Sequence, residues 1–106
     1  MTSISIIVPA YNEQDNLKPL VESISRALSD VDNFEIVIVD DCSTDNTREN
    51  CAVLTQYHPG LTYLRHTRNS GQSASVFTGV KYARFDLIAT LEGDGQNPPS
   101  EICKLI

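Results

Sequence analysis

Two β-branched runs, Ile4 to Val8 and Phe34 to Val39, flank a segment of helical period, and no other feature constrains the fold as much. The first run is continuously apolar and closed by Pro9, the pattern of a strand buried on both faces. Between the runs, Leu17, Leu20, Val21, Ile24, Ala27 and Leu28 recur at three- and four-residue steps, which predicts an amphipathic helix over 16–28. Pro19 falls in its first turns, where a missing N–H matters least. The second run, Phe34 through Asp41, predicts a strand that ends in two carboxylates.

The alternation continues downstream. Ser43 or Thr44 is expected to cap a second helix reaching about Gln56, with Asp45 near its positive end. His58-Pro59-Gly60 reads as a turn and Leu61 to Arg65 as a third strand; Asn69-Ser70-Gly71 breaks the chain again. Ala74, Val76, Phe77, Val80, Tyr82 and Ala83 suggest a third helix, in which Gly79 is either a cost or a close-packing site. Asp86 to Leu91 is the fourth strand, and 98–106 resembles the start of another helix.

Strands alternating with helices in this way imply right-handed crossovers, so the expected fold class is α/β: a Rossmann-like parallel sheet of about four strands flanked by helices. The expected strand order is three, two, one, four, which leaves strand four at an edge. With 106 residues and no linker or repeat, 1–106 reads as a single domain, the first part of something larger. Hydrophobic residues at 41% against 21% charged supply a core and exclude a disordered tail. The formal charge of −6 argues against nucleic acid as a partner, because phosphate-backbone binding needs clustered Lys and Arg. Cys42, Cys51 and Cys103 form no Cys-x-x-Cys pair, which fits neither a disulfide framework nor a zinc site and suggests a reduced, cytoplasmic setting. Met1 to Pro9 lacks a basic leader, and no stretch approaches the ~18 apolar residues of a membrane span, so neither a secretion signal nor an anchor is expected within these residues.

In an open parallel sheet, ligands bind beyond the carboxyl ends of the strands. There the sequence places Pro9-Ala10-Tyr11-Asn12-Glu13, then Asp40-Asp41-Cys42-Ser43-Thr44-Asp45, then Glu92-Gly93-Asp94-Gly95-Gln96. Asp45 and Asn46 are ordinary turn and cap residues. Glu92 and Asp94 are different: two carboxylates separated by one glycine at a strand end are costly unless a cation sits beside them, and hard oxygen ligands select Mg²⁺ or Mn²⁺. His58 and His66 have no partner at ligand spacing and read as surface or turn residues. Cys42 lies in an acidic loop that discourages thiolate formation, so it is a poor nucleophile.

The series Ile6-Ile7-Val8-Pro9-Ala10-Tyr11-Asn12-Glu13, Val39-Asp40-Asp41-Cys42-Ser43-Thr44-Asp45, Arg68-Asn69-Ser70-Gly71 and Gly93-Asp94-Gly95-Gln96-Asn97-Pro98-Pro99 resembles family 2 glycosyltransferases of the GT-A fold. Within them it is most similar to the polyprenyl-phosphate group, the dolichol-phosphate mannosyltransferase type and its bacterial relatives. The resemblance implies a nucleotide site at Pro9, Tyr11, Glu13, Val39, Asp41 and Gln96, with Asp41 on the base and Asp40 supporting the loop. It implies Asp94 as the principal metal ligand and Glu92 beside it, in a position where the family usually has aspartate.

By the same resemblance, the parent protein would move a sugar from a UDP- or GDP-sugar to an undecaprenyl or dolichyl phosphate at the cytoplasmic membrane face, in cell envelope biogenesis, with Mg²⁺ or Mn²⁺. These residues would be its nucleotide-sugar-binding part, without the acceptor-binding half and inactive alone. The alternative is a non-catalytic nucleotide-binding or assembly fragment. Homo-oligomerisation is expected through the edge of strand four or the apolar face at Ile102, Leu105 and Ile106.

Overall fold

The structure, a computed structural model, describes residues 2–92. Asp94, Gln96, Cys103 and the helix expected over 98–106 lie outside the described residues. Four strands, β1 (Ser3–Ala10), β2 (Asn33–Asp40), β3 (Leu61–Arg65) and β4 (Leu87–Thr90), alternate with three helices, α1 (Leu17–Ala27), α2 (Thr47–Tyr57) and α3 (Gln72–Tyr82). All neighbouring strands run parallel in the order β3-β2-β1-β4, so the expected α/β architecture and strand order are both observed.

Register sorts the side chains onto two faces. Ile6 pairs with Ile36 and Val8 with Ile38, and these side chains join Ile4 and Ala10 under Leu17, Leu20, Val21, Ile24 and Leu28 of the α1 segment and Cys51 and Leu54 of α2. The alternate positions Ile7, Val37 and Val39 form a smaller core on the opposite face, where α3 packs on β1 and β2. A run buried on both faces is what a central parallel strand requires. Pro9 fits into β1 because Ile7, two residues earlier, accepts from Leu91 N on the β4 side, and β4 pairing ends at Thr90. Its missing N–H therefore falls past the end of the neighbouring strand.

Two expectations needed correction. Helix α2 starts at Thr47, not behind Ser43 or Thr44, and the side chain that caps its first turn is Asp45, which accepts from Thr47 N at 2.9 Å. The apolar positions of α3 do not mark its packed face: Phe77, Val80 and Tyr82 are exposed, and Ser75 and Gly79 are buried. Small residues face the sheet because the helix lies very close to it. A Cβ on Gly79 would run into Ile7 Cγ2 and stand 3.3 Å from Val39 Cγ2, which makes this glycine a close-packing site.

One buried carboxylate sits far from the carboxyl ends. Glu35 accepts from Ser5 Oγ and from Arg84 N, both at 2.6 Å, and Ser5 Oγ accepts from Phe85 N at 3.2 Å. The pair ties the connection between α3 and β4 to the amino ends of β1 and β2, satisfying a group that would otherwise be costly to bury.

Candidate functional site

At the carboxyl edge of the sheet, the loops after β1, β2 and β4 and the start of α3 surround a cleft of about 170 Å³ lined by Pro9, Ala10, Tyr11, Glu13, Asp41, Gln72, Ser75 and Glu92. A larger groove of about 840 Å³ runs between α1 and α2, lined by residues such as Lys18, Glu22, Val53 and Tyr57. The smaller cleft is the candidate site, because strand ends converge on it and its lining includes a carboxylate from each of three loops, Glu13, Asp41 and Glu92.

The first two loops are braced against each other. Asn12 N donates to Ser43 Oγ at 2.9 Å, Glu13 N to Thr47 Oγ1 at 2.9 Å, and Thr44 N to Asn12 Oδ1 at 2.8 Å. Asn46 N donates to Gln14 Oε1 and Asn50 Nδ2 to Gln14 O, at 2.9 and 2.8 Å. Asn12 and Cys42 adopt positive φ, 53° and 64°, which lets both loops turn sharply off their strands. Asn tolerates this conformation through its own side-chain bonds, whereas at Cys42 it costs roughly 1–2 kcal/mol. Tyr11, 46% exposed, and Glu13 are thus carried on a loop fixed by side-chain to backbone bonds.

Asp40 and Asp41 divide their work. Asp40, fully buried, accepts from Ser43 N and Ser43 Oγ on one oxygen and from Tyr63 O–H and Arg65 Nη1 on the other, the last at 3.0 Å. It supports the loop, as expected. Burial pushes the Tyr63 phenol far up, and its bond to Asp40 pushes it further. Asp41 lines the cleft and accepts from His66 Nδ1, Ser70 N and Gly71 N, each at 2.8 Å. Burial would raise this carboxyl, but the bonds from His66, Ser70 and Gly71 outweigh it and hold Asp41 below the ordinary 3.8.

His66 is the residue that sequence reasoning misplaced. Its side chain is only 17% exposed and bridges Asp41 to Thr78 Oγ1, the latter at 2.8 Å. No local signal could have shown this, because Asp41 and Thr78 lie 25 and 12 residues away in the chain. His58 does sit in the expected turn, where its N–H closes α2 on Leu54 O and its carbonyl accepts from Leu61 N. Cys42 is half-buried beside Thr67 O and Arg65.

Of the expected nucleotide residues, the structure brings Pro9, Tyr11, Glu13 and Asp41 to the cleft. Val39 is not among the lining residues; its side chain is fully buried with Ile7 and Val37 under α3. Gln96 lies outside the described residues, as does Asp94. Glu92 is exposed at the cleft, and Gln72 and Ser75 line it although no motif had pointed to them. Among the described residues, no three His, Cys, Asp or Glu side chains cluster closely enough to hold an ion together, so a metal there would need Glu92 and donors beyond it. Likewise no helix among them is long and apolar enough to cross a membrane.

Known proteins share much of this sequence and its fold. The chain is 41% identical over 103 residues to the dolichol-phosphate mannosyltransferase of Pyrococcus furiosus, covering 97% of this chain and 29% of that protein. It is 38% identical over 105 residues to the undecaprenyl-phosphate 4-deoxy-4-formamido-L-arabinose transferase of Yersinia enterocolitica, covering 97% and 32%. The chain therefore spans about a third of the length of these curated relatives. Among solved structures, the mannosyltransferase PcManGT from Pyrobaculum calidifontis in complex with GDP-Man and Mn²⁺ superimposes with a TM-score of 0.79 at 27% identity, over 86% of this chain and 27% of that one. TarS of S. aureus in complex with UDP-GlcNAc gives 0.72 at 27% identity, over 88% and 27%. A profile of Glycosyl transferase family 2 matches residues 5–106, and the chain belongs to that family.

Proposed function

We propose that this chain forms the nucleotide-sugar site of a glycosyltransferase that moves a sugar from a nucleoside diphosphate to a polyprenyl phosphate. The observation that carries this reading is the convergence of Pro9, Tyr11, Glu13, Asp41 and Glu92 on one cleft at the carboxyl edge of a family 2 sheet. The polyprenyl-phosphate acceptor is supported by the relatives from P. furiosus and Y. enterocolitica, and the nucleotide-sugar donor by the two complexes.

The residues suit the chemistry. Tyr11 offers an aromatic face to a base, and Glu13 an acceptor for sugar hydroxyls. Asp41 uses three acceptor positions on His66, Ser70 and Gly71, and a carboxylate has about four, which leaves one for a base N–H. Three acidic residues around a cleft that receives a diphosphate would repel it unless a cation were present. Glu92, with Asp94 after it, would hold that cation, and a bound Mg²⁺ or Mn²⁺ would neutralise charge on the departing diphosphate. In the transfer, an oxygen of the lipid phosphate bonds to the anomeric carbon as the bond from that carbon to the nucleoside diphosphate breaks.

Calorimetric titration with UDP and GDP, with and without Mn²⁺, tests the reading. Binding of one nucleotide, strengthened by Mn²⁺ and lost in Asp94→Ala, is the expected result, with Glu92→Ala less damaging. No heat from either nucleotide at millimolar concentration would overturn the site, and a larger loss in Glu92→Ala would reverse the division of roles between the two carboxylates.

A further inference from the structure

His66 stands outside the residues that line the cleft, yet its ring lies between one of them and the helix that supplies two more. Its backbone N–H donates to Asp40 O at 2.9 Å, which extends the β2–β3 register one residue past the end of β3 and fixes where the ring starts. Nδ1 is 2.8 Å from Asp41 Oδ1, and Nε2 is 2.8 Å from Thr78 Oγ1. Asp41 is held in its ionised, acceptor-only form, so the proton between them belongs to Nδ1. Thr78 is a residue of α3, so its contact with Nε2 ties the ring to the body of that helix.

Helix α3 is consequently gripped at two points. At its amino end, the Asp41 carboxylate takes the N–H groups of Ser70 and Gly71. Gly71 has φ 99°, a conformation that only glycine adopts without strain, and its carbonyl receives Ser75 N and Ser75 Oγ, each at 3.1 Å. Farther along, Thr78 is held by His66. Gln72 and Ser75, the two cleft residues of α3, lie between these anchors.

We propose that His66 is a positioning residue for the nucleotide site: by joining Asp41 to Thr78 it sets the distance between the β2 end of the cleft and the α3 wall, and so orients both Asp41 and the Ser70-Gly71 turn toward the ligand. An imidazole suits this task because it is a rigid plate with a hydrogen-bonding nitrogen toward each partner. The role rests on the nucleotide reading above only for its consequence in binding; the bridge itself belongs to the fold.

The test uses the complete protein and two readouts. Amide hydrogen exchange at Ser70 and Gly71 reports the turn, and calorimetry with UDP and GDP in the presence of Mn²⁺ reports the cleft. His66→Ala should speed exchange at both amides and weaken nucleotide binding about tenfold, as expected for one charge-assisted hydrogen bond. Thr78→Val, which lies outside the cleft lining, should give a smaller change in the same direction, and His66→Gln, which keeps a donor and an acceptor, should recover much of the loss. Glu35→Gln, at the opposite end of the strands, should lower thermal stability and leave both readouts unchanged; a purely structural role for His66 would instead make the two variants behave alike. Unchanged protection of Ser70 and Gly71 in His66→Ala would refute the bridge, and lost protection with unchanged affinity would refute its link to the cleft. A wild-type protein that binds neither nucleotide would overturn the functional reading, and with it the consequence for binding, while exchange at the two amides would still decide the bridge.

Discussion

Replacing Gly79 by Ala measures how closely α3 lies on the sheet. By helix propensity alone, the change should stabilise the protein by about 0.8–1.0 kcal/mol. The added methyl has nowhere to go, however. It would run into Ile7 Cγ2, stand 3.2 Å from Ile7 Cδ1 and 3.3 Å from Val39 Cγ2, and both of those residues have no solvent exposure. Cγ2 is attached directly to the branched Cβ of Ile7, so it moves only if χ1 leaves its well or the helix lifts. Overpacking of this kind costs ~1–3 kcal/mol, and the directness of the clash places it at the upper end. Subtracting the propensity gain leaves a net loss of about 2 kcal/mol, equivalent to a fall of about 8–16 °C in Tm for a domain of this size. Urea unfolding followed by far-UV circular dichroism would measure it, with Ser73→Ala on the exposed side of α3 as the control for propensity. A Gly79→Ala protein as stable as wild type would mean that α3 does not sit where the packing places it. Because Ser75 lies one turn before Gly79, a lifted helix should also weaken nucleotide binding.

Two further outcomes follow from the carboxylates and the thiols. Burial opposes ionisation of both Asp41 and Asp45, but hydrogen bonds outweigh it and hold each below the ordinary 3.8, so the stability they contribute is complete above that value and is lost as pH falls through their lower folded-state values. The urea midpoint should therefore drop in acid below about pH 4, and Asp41→Asn together with Asp45→Asn should flatten that drop; an unchanged acid dependence would refute the assignment. Burial, helped by the charges of Asp40 and Asp45, pushes the Cys51 thiol up to about 12, whereas Cys42 is half-buried in the loop after β2. Iodoacetamide should alkylate Cys42 in the native protein and Cys51 only on unfolding, as peptide mass spectrometry would show; equal native rates would contradict the packing of α2.

The sheet was legible because its order follows from burial. Ile4, Ile6, Val8, Ile36 and Ile38 are apolar on one face and Ile7, Val37 and Val39 on the other, and only the middle of a parallel sheet accepts such runs. Helix α1 was legible for the complementary reason: its apolar positions Leu17, Leu20, Val21 and Ile24 are all buried. The period failed for α3, where contact with the sheet goes through Ser75 and Gly79 and the large apolar side chains are left outside. Hydrophobicity marks a packed face only when the helix stands far enough off to need filling; where the backbones approach closely, size replaces polarity as the signal.

The same distinction separates the parts of the site. The loops that carry Tyr11, Glu13, Asp41 and Glu92 could be named in advance because a parallel sheet carries the residues after each strand to one edge, whatever lies between, and the family resemblance then singled out Tyr11, Glu13 and Asp41 within them. The hydroxyls of Ser43 and Thr47 read as cap candidates or ordinary helix residues, and the structure uses them to receive Asn12 N and Glu13 N from another loop. A hydroxyl that can close its own helix or brace a neighbouring loop has the same local sequence in both cases. His66 is an extreme instance, since both of its ring partners reach it only through strand register and helix packing. Residues that line the cleft are therefore partly legible from topology, whereas residues that hold them in place depend on which of several equivalent partners the packed fold brings within about 3 Å.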